Sequence, residues 1–254
     1  GFLPITDNTI ISEDGSIIIL GSLGTNPKSI NIFSKNNNTW DLAQEVLYES
    51  DWDPSIDISN DKSTLAIGNN IGNVFIYSYE NNKWEKIENI SQSGTGFGES
   101  ISLSGNGESI AIGATAHTHY GSVRVYSIDN FGNWNQIEED IIGKYNETIG
   151  SSVQLSEDGS ILAVGSLDGG ANGYGKIKIY KSINSFWTQI GQEIDVEPNY
   201  RNYDRYNSVQ LSGDGSILAV GFQYDVNDDV LPRGVVKLYE NKNNQWVQIG
   251  NDIN

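Results

Sequence analysis

Apolar and polar side chains alternate in four short segments of this chain. Val153 and Leu155 fall on one face, with Ser152 and Gln154 on the other. Ile56 and Ile58 stand against Ser55 and Asp57, Ile101 and Leu103 against Ser100 and Ser102, and Val209 and Leu211 against Ser208 and Gln210. A period of two marks a strand, here one with an apolar face and a small, polar face. Three of the four strands are followed by Asp-Gly or Asn-Gly (106–107, 158–159, 214–215), and Asp-Gly also stands at 14–15. These dipeptides mark a tight hairpin, because Gly takes the positive φ that the turn requires. One copy has Asp61-Lys62 instead, and a Lys at positive φ costs on the order of 1 kcal/mol. The strand after the turn, "SILAVG" at 160–165, is apolar on both faces and should be buried on both. A third strand, "KIKIY" at 176–180, alternates again. A fourth begins at a Trp and runs into "QIG". Trp and Ile lie three apart there, so each should anchor a different face unless a bulge intervenes.

The whole phrase recurs. "ISEDGSIIILG" (11–21), "ISNDKSTLAIG" (58–68), "LSGNGESIAIG" (103–113), "LSEDGSILAVG" (155–165) and "LSGDGSILAVG" (211–221) are five copies of it. Each is followed by a strand phrase, at 29–33, 73–77, 122–126, 176–180 and 235–239, and then by Trp40, Trp84, Trp134, Trp187 or Trp246. The period, roughly 45 to 59 residues, lies in the range of propellers and solenoids. Four antiparallel strands with two buried faces cannot be stable alone, but neighbouring copies can cover one another. The predicted fold is therefore all-β: a single five-bladed β-propeller domain of four-stranded antiparallel blades, spanning approximately 1–47, 48–92, 93–143, 144–196 and 197–254. A two-sheet sandwich, the alternative, would alternate throughout. Each blade should be one continuous segment. An open ring would leave two apolar faces in water, at about 25 cal/mol per Å², so the ring is expected to close with 1–7 near 250–254, giving a monomer in isolation.

Copy three, "FGESISLSGNGESIAIGATAHTHYGSVRVY" (97–126), resembles the FG-GAP repeat of integrin-α-type propellers. Phe97-Gly98 matches the FG, Gly113-Ala114-Thr115 the GAP, and Gly121-Ser122-Val123 the lead into the next strand. The resemblance covers the strand pattern of all five copies, although Phe-Gly stands only in copy three. It implies a propeller that binds extracellular partners, often with calcium in the hairpin between strands one and two. The hairpins here are too short to supply five or six oxygen ligands, so that calcium is not expected. A tryptophan–aspartate signature is also absent: of the five repeat tryptophans only Trp40 is followed by Asp.

Charge narrows the partners. The formal net charge is −18 over 254 residues, which argues against nucleic acid and anionic membranes, since both need a positive face. No apolar run is long enough to span a bilayer, so no membrane insertion is expected. There is no cysteine to report a redox compartment. There is also no methionine, which suggests a processed or trimmed product.

Function should lie where the copies differ. The segment 195–207, "DVEPNYRNYDRYN", joins copies four and five and holds Tyr200, Arg201, Tyr203, Arg205 and Tyr206. Tyr and Arg are enriched at binding hot spots, so these five residues are the candidate ligand-binding cluster. The bland alternative is that the tyrosines plug one end of the ring. Asp225, Asn227 and Asp229 occupy positions one, three and five of a calcium-type loop, but Val230 and Val236 stand where Gly and an acid are needed. His117 and His119 form an H-x-H pair with no evident third ligand. No resident cofactor is therefore expected, calcium at 225–229 being the exception worth testing. Catalysis by a propeller glycosidase needs paired carboxylates around the axis, and the polar faces of the first strands offer only Asp57. The expectation is a non-catalytic binding or assembly module that presents variable loops to a protein or glycan, at a cell or particle surface or as a component of a larger particle. A glycosidase is the alternative.

Overall fold

The computed structural model describes residues 9–21, 28–48, 54–69, 71–92, 96–115, 120–145, 147–166, 175–184, 186–195, 207–224 and 233–253. Blade one comprises β1 (Thr9–Ile11), β2 (Ile17–Gly21), β3 (Lys28–Asn36) and β4 (Thr39–Tyr48). Blade two comprises β5 (Ser55–Ile58), β6 (Thr64–Asn69), β7 (Asn73–Glu80) and β8 (Lys83–Ser91). Blade three is β9 (Phe97–Leu103), β10 (Ser109–Ala114), β11 (Ser122–Ile128) and β12 (Trp134–Ile142). Blade four is β13 (Ile149–Leu155), β14 (Ile161–Ser166), β15 (Lys176–Ile183) and an outer strand split into β16 (Phe186–Gln189) and β17 (Ile194–Asp195). Blade five is β18 (Asn207–Leu211), β19 (Ile217–Tyr224), β20 (Arg233–Asn241) and β21 (Trp246–Ile253). Each blade is a simple antiparallel meander of one continuous segment. This is the five-bladed β-propeller fold that the repeat predicts. The first strands of successive blades lie against one another, so they form the inner edge.

The two-faced second strands do what their composition requires. Four apolar clusters fill the four junctions between consecutive blades. Ile19, Ile30 and Ile32 of blade one meet Ile58, Leu65, Ile67 and Trp84 of blade two. Ala66, Val74, Ile76 and Ile90 of blade two meet Phe97, Leu103, Ile110 and Ile112 of blade three. The same positions recur in the third and fourth junctions. The odd spacing of Trp and Ile is resolved as anticipated. Trp187 packs into the junction with blade three, whereas Ile190 packs into the junction with blade five. A left-handed residue follows the Ile in three blades: Glu138 at φ 65°, Gly191 at 72° and Gly250 at 71°. It breaks the register of the outer strand, which is a bulge, and explains the Gly of "QIG".

The Gly that ends the second strand is needed for close approach. A Cβ at Gly113 would lie 2.1 Å from the carbonyl oxygen of Gly150 in the next blade, and one at Gly68 would lie 2.5 Å from that of Gly98. Gly98 and Gly150 have φ of 91° and 92°, which explains the Gly of the Phe-Gly pair. Phe97 itself is fully buried in the junction.

The hairpins between first and second strands are self-contained. In Ser59–Thr64 the Asp61 Oδ1 accepts from Ser59 Oγ at 2.6 Å, Ser63 N at 2.9 Å and Ser63 Oγ at 2.8 Å. The same pattern surrounds Asp14, Asp158 and Asp214. Lys62 adopts the left-handed conformation of the glycines it replaces, φ 61°. Its Nζ lies 2.6 Å from Asp14 of blade one. The strained Lys thus gains an ion pair between blades. Backbone bonds then tie the turns together: Asp61 N donates to Gly105 O at 3.3 Å, Gly105 N to Glu157 O at 2.8 Å, and Glu157 N to Gly213 O at 2.8 Å.

The outermost faces are different. Leu211, Leu155, Leu103 and Ile58 are 3–7% exposed, but the matching Ile11 of blade one is 56% exposed. On the other side Ile90, Ile141 and Ile194 are 6–8% exposed, and the matching Ile253 of blade five is 57% exposed. No apolar cluster joins blade five to blade one among the described residues. The segment 1–7, whose approach to 250–254 was expected to close the ring, lies outside the described residues.

Candidate functional site

Strand direction places the hairpins at one end of the propeller. The connections between second and third strands, and those between blades, leave from the other end. Tyr200, Arg201, Tyr203, Arg205, Tyr206, Asp225, Asn227, Asp229, His117 and His119 lie outside the described residues, so the geometry below is that of the strands and turns from which they leave.

The described loop end centres on blades three and four. The turn 143–148 enters β13, and Lys144 N donates to Glu147 Oε2 at 2.6 Å. Glu147 is buried, and its other oxygen lies 2.5 Å from Nζ of Lys178, itself buried on β15 between Ile177 and Ile179. Glu193, just before β17, bridges three lysines. Its Oε2 is 2.6 Å from Lys176 Nζ, and its Oε1 is 3.2 Å from Lys144 Nζ and 3.6 Å from Lys178 Nζ. Lys176 also lies 3.6 Å from Asp195. Burial pushes the Glu193 carboxyl up, but hydrogen bonds from Lys176 and Lys144, with the charge of Lys178, outweigh it and hold the group at about 2. Three lysines and three carboxylates therefore neutralise one another at this end of blade four. No group of three or more His, Cys, Asp or Glu that could hold a metal is found among the described residues.

Above this cluster, two exposed tyrosines meet edge to face. Tyr120 and Tyr145 have ring centroids 5.9 Å apart at 70°. They are 37% and 62% exposed, and Ile142 and Ile71 at the same end are also exposed. Sequence reasoning missed both the tyrosine pair and the Lys178 cluster. A signal for the latter existed: Arg124, Lys178 and Lys237 occupy the same place in the third-strand phrase, and each pairs with an acid of the outer strand. Arg124 meets Asp140 at 2.8 Å, Lys237 meets Asp252 at 3.8 Å, and Lys178 meets Glu193 as above. Blade two has Phe75 there, with Lys86 Nζ 5.2 Å from its ring centre.

Along the inner edge, the polar faces of the first strands staple each blade to the next. Ser55 Oγ donates to Gly98 O at 2.7 Å and Ser100 Oγ to Gly150 O at 2.8 Å. Leu103 N donates to Asp57 Oδ2 at 2.6 Å, and Leu155 N to Ser102 Oγ at 3.0 Å. Asp57 Oδ1 accepts from Ile58 N at 2.9 Å. Burial raises the Asp57 carboxyl to about 7 against these two bonds. A sliver of the side chain stays open at the inner edge.

Solved structures share this architecture. Hydrazine synthase of Kuenenia stuttgartiensis superimposes with a TM-score of 0.66 and 16% identity, over 98% of this chain and 67% of that one. A functionally unknown protein from Desulfotomaculum acetoxidans gives 0.67 and 17%, over 98% and 70%. A protein from Lactobacillus plantarum gives 0.68 and 14%, over 98% and 72%. The likeness is one of fold. No sequence family matches the chain, and no curated protein is similar to it in sequence.

Proposed function

We propose that the protein is a non-catalytic propeller of FG-GAP type that binds a protein or glycan partner through its loop end, at a cell or particle surface or within a larger particle. The observation that carries this reading is the exposed Tyr120–Tyr145 pair, set among loops that differ from copy to copy. Aromatic side chains that stay in water on a rigid scaffold are typical binding anchors. The Tyr/Arg segment 200–206, which joins blades four and five in the sequence, would extend the surface. The charges beneath are internally paired, which suits a partner recognised by stacking and hydrogen bonds rather than by net charge. A glycosidase would need two carboxylates free to act across the axis. Asp57, the acid on the polar faces of the first strands, has both oxygens engaged by amide hydrogens.

The test is binding of the labelled protein to a glycan array and to a panel of cell-surface and matrix proteins, as wild type, Tyr120→Ala/Tyr145→Ala and Tyr203→Ala/Arg205→Ala. Loss of a wild-type signal by tenfold or more, with Tm unchanged, supports the reading. A signal that survives both double variants would refute it. A hydrolytic activity that disappears in Asp57→Asn would favour the glycosidase.

A further inference from the structure

We propose that the hairpin end of the propeller is a second interaction surface, on which Phe131 and Phe186 anchor a partner protein through a segment that combines basic and apolar side chains. It lies opposite the loop end and is independent of it. Strand direction puts the turns between third and fourth strands at the same end as those between first and second. Backbone bonds join the two sets: Ile128 N donates to Glu108 O at 2.9 Å, and Ser182 N to Ser160 O at 3.0 Å. All ten turns of this end belong to the described residues, 185 apart. Phe131, 89% exposed, is the most exposed large apolar side chain among the described residues. Phe186 is 62% exposed, and Ile183, opposite it in the β15–β16 ladder, is also exposed.

Neither ring is demanded by its turn. The residue before the blade tryptophan is Thr39, Lys83, Asn133 or Gln245 in the other four blades, and Phe186 in blade four. Outside blade three, asparagine takes the left-handed positions of these turns, at φ of 51–62°. Blade three has a longer turn, from Ile128 to Trp134, with Phe131 in the middle of it. Asp129 clasps that turn. Its Oδ1 accepts from Phe131 N at 2.8 Å and Asn133 N at 2.9 Å, its Oδ2 from Asn135 Nδ2 at 3.0 Å, and its carbonyl from Gly132 N at 3.0 Å. Hydrogen bonds, the Asn133 amide first, hold the carboxyl below its usual range, so the clasp stays ionised near neutral pH. An aromatic ring kept in water on a fixed turn has little freedom left to lose on binding.

Charge decides what partner fits. The five turns between first and second strands carry seven carboxylates against one cation, Lys62, which Asp14 already holds. In blades three and four this end presents Glu108, Asp129, Glu157 and Asp158. None of the four forms an ion pair among the described residues. The cation of these two blades on this side is Lys181, opposite Ile161 at the start of β14. The loop end is the reverse case, since its carboxylates are matched by lysines. Unmatched carboxylates around two apolar anchors attract a cationic partner and fix its register. A second copy of the chain brings the same acids and a net charge of −18, and an anionic lipid surface is repelled in the same way.

The test is titration of the protein with fluorescent peptides of equal length that alternate lysine with leucine, glutamate with leucine, or lysine with serine. The lysine–leucine peptide should bind about tenfold or more tightly than either of the others. Phe131→Ser/Phe186→Ser should weaken it by about tenfold with Tm unchanged, since both rings are exposed. Glu108→Gln/Glu157→Gln should weaken it several-fold at low salt and have little effect at high salt. Tyr120→Ala/Tyr145→Ala should leave it unchanged. Equal binding of the two lysine peptides, or binding that survives loss of both phenylalanines, would mean general attraction to an acidic chain and overturns the proposal. Absence of binding overturns it too, as does loss in the tyrosine variant alone, which would give the peptide to the loop end. A marked fall in Tm on removing the phenylalanines would show that the rings serve the fold, and also overturns it. Pelleting with phosphatidylcholine vesicles that disappears in Phe131→Ser/Phe186→Ser would assign the rings to a lipid surface instead.

Discussion

The two ends of the propeller obey different rules. At the hairpin end four of the five turns repeat Ser-x-Asp-Gly/Lys-Ser, and in each the carboxylate accepts from the serines of its own turn, Asp14 also meeting Lys62 of the next blade. At the loop end the copies diverge: Arg124, Lys178 and Lys237 share one place in the repeat but meet different acids, and the buried Lys178–Glu147 pair and the exposed tyrosine pair each occur once among the described residues. Repetition follows from a physical requirement shared by every blade. Divergence marks places where one blade meets a demand the others do not.

The two ends can be set against each other by substitution. The largest effect should come from the repeated framework. Gly113→Val drives a side chain into the Gly150 carbonyl and should destabilise by about 4–5 kcal/mol, in the upper tail for point changes, read by urea unfolding. At the loop end, Lys178→Ala leaves Glu147 buried without its partner and should cost about 3 kcal/mol. A smaller loss there would mean that the turn 143–148 rearranges to wet the carboxylate.

Acid separates the two kinds of aspartate. The hairpin groups are held below their usual range. For Asp14 the Lys62 hydrogen bond is the main cause, and for Asp214, at about 2, it is the bond from Ser212. Their contribution is present above pH 4 and is lost as pH falls from about 4 toward 2. Asp57 runs the other way. Its folded value, about 7, lies above the unfolded one, so the folded state takes up a proton and stability declines as pH rises from about 4 to 7. Melting temperature should therefore peak near pH 5. Asp57→Asn should flatten the limb between pH 5 and 7, by about 1–2 kcal/mol, because the side chain is not wholly dry. The smallest effect is expected for Lys62→Gly. Relief of about 1 kcal/mol of backbone strain offsets the loss of a solvent-screened ion pair with Asp14, and Tm should move little.

How much of this was legible depended on periodicity. Strand faces, hairpins and the opposite roles of Trp and Ile could be read because each is written in four of the five copies and each depends on local spacing. Lys62 was visible as an exception, though its compensation by Asp14 was not, since 48 positions separate the two. Lys178 was read as one more polar residue of an alternating strand. Its burial arises from Glu147 and Glu193 folding over it, and nothing in the spacing of "KIKIY" announces that. The resting place of Asp57 likewise depends on the neighbouring blade, whose Leu103 amide it receives.

The meander topology has a mechanical consequence. Among the described residues every sheet is a single continuous stretch, and no strand of one blade is threaded into another. Tension applied at the two ends of the chain would load a terminal blade first and peel it from its neighbour while the others stay folded. The extension record should be a staircase, each riser about 50 residues long, or about 170 Å at full stretch. As a tether under shear, such a molecule would lengthen by instalments instead of letting go at once.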